Sequence, residues 1–204
     1  QTLTAPEGFC CVVPASADGS RLLAMTATRV YVTTDGGDSW AEGPTLPANE
    51  LNSMASAPSN PQVIYASGRL PGATRDVILR SVDGGNTWTT HNFPGVTVLD
   101  LDVDPSNDQT LYTSGGLAEV FKSTDGGQSW TLLTVPGEFA RQGNAFYALA
   151  IDPQNPNIVY VGGGPFIARS VDAGATWEQL WYDTERFLLD IRSLLVDPLR
   201  PHSL

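Results

Sequence analysis

Four aspartates sit in near-identical octapeptides, and a repeated acid of this kind invites a catalytic reading. The segments are Thr33-Thr34-Asp35-Gly36-Gly37-Asp38-Ser39-Trp40, Ser81-Val82-Asp83-Gly84-Gly85-Asn86-Thr87-Trp88, Ser123-Thr124-Asp125-Gly126-Gly127-Gln128-Ser129-Trp130 and Ser170-Val171-Asp172-Ala173-Gly174-Ala175-Thr176-Trp177. Carboxylates held in pairs are the working parts of glycoside hydrolysis. Turn chemistry nevertheless accounts for every position in this box. An aspartate at the start of a turn accepts backbone N–H groups. Glycine supplies the positive φ of a tight hairpin. The hydroxyls can close the loop, and the tryptophan buries about 150–250 Å² of apolar surface. Ala173 replaces the first glycine in the fourth copy while Gly174 is kept, so the second glycine is the one expected to need φ > 0. Asp35, Gly37, Trp40, Asp83, Gly85, Trp88, Asp125, Gly127, Trp130, Asp172, Gly174 and Trp177 are therefore read as structural.

Ligand chemistry has to be sought elsewhere. The most site-like stretch is Trp181-Tyr182-Asp183-Thr184-Glu185-Arg186-Phe187. There Trp181, Tyr182, Asp183, Glu185 and Arg186 could stack on and hydrogen-bond to a sugar or a peptide. The plainer alternative is that Trp181 and Phe187 anchor the loop. Glu138 and Arg141, in Gly137–Gly143, form a second candidate, and Arg69 and Arg75 would add positive charge to an acidic surface. Asp76, Glu119, Glu138, Asp183 and Glu185 lie outside the turns, but no pair is privileged by spacing. His91 and His202 are isolated, so no metal site is expected. Gly162-Gly163-Gly164 has no helix after it and is not a phosphate loop. No cofactor is called for. Cys10 and Cys11 are adjacent. Their Cα atoms lie about 3.8 Å apart, below the usual disulfide window of about 4.4–6.8 Å, and on a strand they would face opposite ways. The bland reading is two small apolar residues, with a strained vicinal disulfide or an intermolecular one as the alternatives.

The elements that would position these residues follow from a second repeat in phase with the box. Val13-Pro14, Ala57-Pro58, Asp104-Pro105, Asp152-Pro153 and Asp197-Pro198 recur along the chain. Ile64-Tyr65, Leu111-Tyr112 and Val159-Tyr160 follow the middle three at a constant offset. The box itself recurs at spacings of 48, 42 and 47 residues. Short β-branched and aromatic runs between Gly, Pro, Asn and Asp clusters read as strands, four per period. Periods of about 40–50 residues built of short strands indicate a β-propeller. The expected fold is all-β, with four-stranded antiparallel blades at 8–42, 50–91, 97–133 and 145–180 in a single domain over 1–204. The first strand of a fifth blade is expected within 188–204, leaving the ring incomplete. Strand alternation places the boxes and the Asp-Pro turns on one face and the variable loops on the other.

Composition narrows the function classes. With 204 residues and 41% hydrophobic content the chain can bury a core. A net charge of −11 repels phosphate backbones, which argues against nucleic acid as a partner. No run of about 18 apolar residues is present, so no transmembrane segment is expected. The chain opens on Gln1 without a signal segment, and the fifth repeat begins at Ile191 and reaches Pro198. The chain thus reads as part of a longer propeller. If Leu204 is the terminus, the ring stays open or closes by self-association.

The octapeptide resembles the Asp-box, or bacterial neuraminidase (BNR) repeat, of sialidases, xyloglucanase-type hydrolases, sortilin-type receptors and a photosystem II assembly factor. The match covers essentially the whole chain. It is specific for fold rather than function. The resemblance implies that the boxes lie away from the functional face. A sialidase would need an arginine triad, a tyrosine nucleophile with a carboxylate partner, an acid/base aspartate and a Phe-Arg-Ile-Pro-like segment. Gly68-Arg69-Leu70-Pro71 matches only the Arg-x-Pro. In xyloglucanase-type enzymes the two catalytic acids come from different propeller domains. No enzyme constellation is assembled here. The expectation is a non-catalytic scaffold that binds a protein or glycan through the face opposite the boxes, in an extracellular or periplasmic setting. The alternative is a piece of a secreted glycoside hydrolase, xyloglucanase-type or sialidase-like.

Overall fold

The alternation of short apolar runs and turn clusters is realised as sixteen strands in the computed structural model, which describes residues 8–136, 144–182 and 191–197. They form four antiparallel sheets. Blade one holds β1 (Cys11–Pro14), β2 (Leu22–Met25), β3 (Val30–Thr33) and β4 (Ala41–Glu42). Blade two holds β5 (Glu50–Ala57), β6 (Asn60–Arg69), β7 (Asp76–Ser81) and β8 (Thr89–Asn92). Blade three holds β9 (Val98–Val103), β10 (Leu111–Gly115), β11 (Val120–Ser123) and β12 (Thr131–Leu133). Blade four holds β13 (Ala148–Ile151), β14 (Val159–Gly163), β15 (Phe166–Ser170) and β16 (Glu178–Tyr182). First strands adjoin in series, β1 against β5, β5 against β9 and β9 against β13. This is the open β-propeller expected from the repeats. Among the described residues no helix is long and apolar enough to cross a membrane.

The box builds the same clamp four times. In blade two the Asp83 carboxylate accepts the Asn86 and Thr87 N–H groups at 3.0 and 2.9 Å, together with the Ser81 and Thr87 hydroxyls. The Gly85 N–H donates to the Ser81 hydroxyl, and the Trp88 indole donates to the Gly85 carbonyl at 3.1 Å. Each box is also tied to the first turn of its own blade. Gly36, Gly84, Gly126 and Ala173 donate their N–H groups to the carbonyls of Ser20, Gln62, Gln109 and Asn157. Boxes and Asp-Pro turns therefore share a face. One expectation is corrected: both glycine positions take positive φ, and Ala173 itself adopts φ 59°. The carbonyl of Asn157 holds that turn in place despite the Cβ. The second glycine carries an added steric demand, because a Cβ on Gly85 or Gly174 would stand 2.3 or 2.4 Å from a side-chain carbon of Leu23 or Leu133.

Leu23 and Leu133 belong to the preceding blade, and this is how blades stack. Trp88 packs on the blade one–two core, and Trp130 meets Phe93 of blade two at 5.4 Å between ring centroids. Trp177 is buried against blade three. A tyrosine–cation pair on blades two and three, and an arginine on blade one, meet the next blade's turns. Tyr112 and Lys122 both donate to the Ala173 carbonyl, at 3.1 and 3.2 Å. Tyr65, hydrogen-bonded by Arg80, donates to the Asp108 carbonyl. Arg21 serves blade one by donating to the Gly84 carbonyl at 2.9 Å. Trp40 has no preceding blade among the described residues; it packs with Phe9, which also meets Tyr31.

Three boundaries differ from the sequence reading. Residues 191–197 form no ladder, although Val196 and Leu194 pack on Ala150, Ile158 and Tyr160 of blade four. A strand is defined by its pairing, and among the described residues no second strand lies beside these. The glycine run 162–164 reads in the sequence as a break after the second strand of blade four, but Gly162 and Gly163 continue β14, where a Cβ at Gly163 would fall 2.0 Å from the Ala145 carbonyl oxygen and only glycine allows that approach. Trp181 and Tyr182 close β16, paired with Ile167 and Phe166, instead of opening a loop.

Candidate functional site

The face opposite the boxes is built from the connections between second and third strands and between blades. Arg69 ends β6 directly opposite Asp76, the first residue of β7. This pairing decides what both side chains do. Asp76 is 1% exposed. Its Oδ1 accepts Arg69 Nε at 3.0 Å, and its Oδ2 accepts Asn52 Nδ2 at 2.8 Å and the Val98 N–H at 2.9 Å. Arg69 also donates to Thr97 Oγ1 at 3.3 Å and lies 3.6 Å from Glu50. A buried carboxylate must be paired and fully hydrogen-bonded, and this one joins blade two to the first strand of blade three. It is closed to any ligand.

Arg75 is one residue away and exposed. Its guanidinium donates to the Pro94 carbonyl. It stands at the rim of a concavity of about 500 Å³ bounded by Leu70, Thr74, Asn92 and the buried Phe93. Glu119 lies across the blade boundary, half-buried after a 3-10 turn at Gly116–Ala118. Burial raises its pKa, and the nearby Arg75 partly offsets that. Leu117, in the same turn, is 62% exposed. Arg75, Glu119 and the apolar wall thus form one mixed surface. It can hold a polar group by charge and an apolar face by contact. Trp181 is 39% exposed on the outer strand of blade four. Asp183, Glu185, Arg186, Glu138 and Arg141 lie outside the described residues, as do Phe187 and His202. Among the described residues no three His, Cys, Asp or Glu side chains gather to hold a metal.

Sequence reasoning missed a second group of acids. Asp100 and Asp102 alternate along β9 and face the first strand of blade four. Each carboxylate spans two strand edges. Asp100 accepts the Leu101 N–H through Oδ1 and the Leu149 N–H through Oδ2, both at 2.9 Å. Asp102 does the same with Val103 and Ile151, at 2.9 and 3.0 Å. These N–H groups point away from the ladders and would otherwise be unpaired. Burial pushes the Asp102 carboxyl up to about 7, against the effect of its two backbone donors, and raises Asp100 as well. The signal was available: Val98-Leu99-Asp100-Leu101-Asp102-Val103 places acids at alternate positions of an otherwise apolar strand.

Comparison with known proteins gives the chain its relatives. Residues 11–184 match the model of the DUF6242 β-propeller domain. Xyloglucanase Xgh74A of Acetivibrio thermocellus is 31% identical over 149 residues, which is 64% of this chain and 17% of that protein. The GH74 xyloglucanase of Xanthomonas campestris superposes with a TM-score of 0.69 at 18% identity, over 85% of this chain and 30% of that one. YCF48, solved bound to a D1 peptide, gives 0.64 at 14% identity, over 88% and 55%. The two structural likenesses are likenesses of fold.

Proposed function

The chain belongs to the DUF6242 β-propeller family, and from that premise we propose that it is a non-catalytic scaffold of Asp-box blades that binds a protein or glycan through the face opposite the boxes. The observation that carries this reading is the concavity of about 500 Å³ beside Arg75 and Phe93. Among the described residues it is a place on that face where an exposed cation, an apolar wall and open volume coincide. The same geometry argues against general acid–base work by Asp76, which is sealed behind Arg69 and two further donors, the Asn52 amide and the Val98 N–H. The fold likeness to YCF48 fits a peptide ligand, and the likeness to xyloglucanases fits a glycan. The latter also fits an extracellular or periplasmic setting.

A second reading, a piece of a xyloglucanase-type hydrolase, draws on the 31% identity to Xgh74A. It also draws on Glu119, whose raised pKa suits a general acid. One experiment separates the two. The purified chain is titrated by calorimetry with xyloglucan oligosaccharides and with a peptide library, and assayed in parallel for release of reducing ends. The scaffold reading expects saturable binding that Arg75→Ala weakens about tenfold, the loss of one charge-assisted contact, with no turnover. Turnover abolished by Glu119→Gln would replace it with the hydrolase reading.

A further inference from the structure

Cys10 and Cys11 are the chain's two cysteines, and both are free thiols. Strand alternation does not separate them, because β1 begins at Cys11 and Cys10 stands just outside it. Their sulfurs lie 3.2 Å apart, with the Cys11 thiol donating to Cys10 Sγ. Cys10 is exposed. Its backbone N–H and its thiol both reach the Met25 carbonyl, at 2.9 and 3.3 Å, which fixes the side chain over the edge of blade one. Cys11 is half-buried, with its sulfur beside the Met54 N–H on the first strand of blade two. One thiol thus faces solvent, the other faces the seam between two blades, and the two are in contact.

We propose that Cys10 and Cys11 are a redox-active vicinal dithiol at the seam of blades one and two, in which Cys10 attacks a low-molecular-weight disulfide and Cys11 resolves the adduct. In the first step the Cys10 thiolate bonds to one sulfur of RSSR. The S–S bond breaks, and the departing RS⁻ takes up a proton. In the second step the Cys11 thiolate attacks the Cys10 sulfur, closes the Cys10–Cys11 bond and expels the second RS⁻, which is protonated in turn. The two cysteines lose two electrons and two protons, and the disulfide is reduced to two thiols.

The order of attack follows from the contact. The hydrogen bond from Cys11 draws the Cys10 pKa down to about 7, with burial opposing. Donating that bond, together with burial, holds the Cys11 thiol protonated. Once Cys10 is capped it is no longer an anion, and the main cause of the raised Cys11 pKa is gone. Cys11 can then ionise 3.2 Å from its target. Exchange is fastest for an exposed thiol with a pKa near ambient pH. A disulfide between neighbours, with Cα atoms held about 3.8 Å apart, is strained and therefore easily reduced. The bond is a reversible state at the seam, where Cys11 packs against the core shared by blades one and two.

The test is intact-mass analysis of the whole chain after incubation with oxidised glutathione at neutral pH, followed by alkylation of the remaining thiols. The wild-type chain is expected to lose two hydrogens, carry no glutathione and take up no alkylating agent, and to regain both thiols in mild reductant. Cys11→Ser is expected to stop at a glutathione adduct on Cys10. Cys10→Ser is expected to react about tenfold more slowly, as a thiol without the activating contact. A stable glutathione adduct on the wild-type chain, unmodified thiols, or equal rates for the two variants would overturn the proposal.

Discussion

At the scale of the residue, the box shows how little of its geometry a consensus reveals. Ala173 occupies a position where the other three boxes have glycine, yet it adopts the same left-handed backbone at φ 59°. A Cβ in that region costs about 1–2 kcal/mol. Part of that is recovered because alanine restricts the unfolded chain more than glycine does. Ala173→Gly is therefore expected to raise stability by about 0.5–1 kcal/mol, read as an increase in the urea midpoint at unchanged slope. A lower midpoint would mean that this turn is not strained. The box aspartates were legible in sequence because all their partners lie within four residues. Arg69 and Asp76 were not, because strand register brings them together. Arg69 looked like a candidate ligand contact and serves as the counter-ion of a buried acid.

At the scale of the element, first strands meet without a backbone ladder between them, and side chains have to satisfy their inner edges. Asp100 and Asp102 do this between β9 and β13. Burial pushes the Asp102 carboxyl up to about 7 in the folded chain, from the ordinary value of 3.8 that the unfolded chain keeps. Between those values the folded state holds a proton that the unfolded state releases. Stability therefore falls as pH rises through this window, by at most about 1.4 kcal/mol per pH unit. Melting temperature is expected to drop between about pH 4 and pH 7, and Asp102→Asn is expected to flatten that dependence. An unchanged slope in the variant would assign the effect to other groups. The box aspartates have the opposite sign. Their hydroxyl and N–H donors lower Asp83 and Asp125 to about 2, so their contribution is lost only as pH falls below the ordinary carboxylate range. The strand count and the two faces were readable from periodicity. The bridging of edges was not, because it depends on the distance between blades.

At the scale of the whole molecule, equivalent residues differ by what stands in front of them. Trp177 is buried against blade three, whereas Trp40 rests on Phe9 alone of the described rings it meets. Trp177→Ala is expected to cost about 3–5 kcal/mol, the usual loss for a buried aromatic. Trp40→Ala is expected to cost about 1 kcal/mol, close to the centre of point-mutation effects. Equal losses in chemical denaturation would show that the first box is covered in solution. The blade joints also carry a mechanical consequence. Blades in series share any pull applied along the chain, and each joint yields at its own load. The joint between blades three and four holds two carboxylate bridges, a tyrosine and a lysine on one carbonyl, and a leucine filling the space above Gly174. The joint between blades one and two has the matching leucine, Leu23, above Gly85, but in place of the carboxylate bridges it has Arg21 at the Gly84 carbonyl and the Asn86 side chain and the Leu51 N–H on the Ala27 carbonyl, with Trp88 beneath. The joint with fewer hydrogen bonds between blades is expected to part first when the chain is pulled by its ends, and the two thiols lie at that joint.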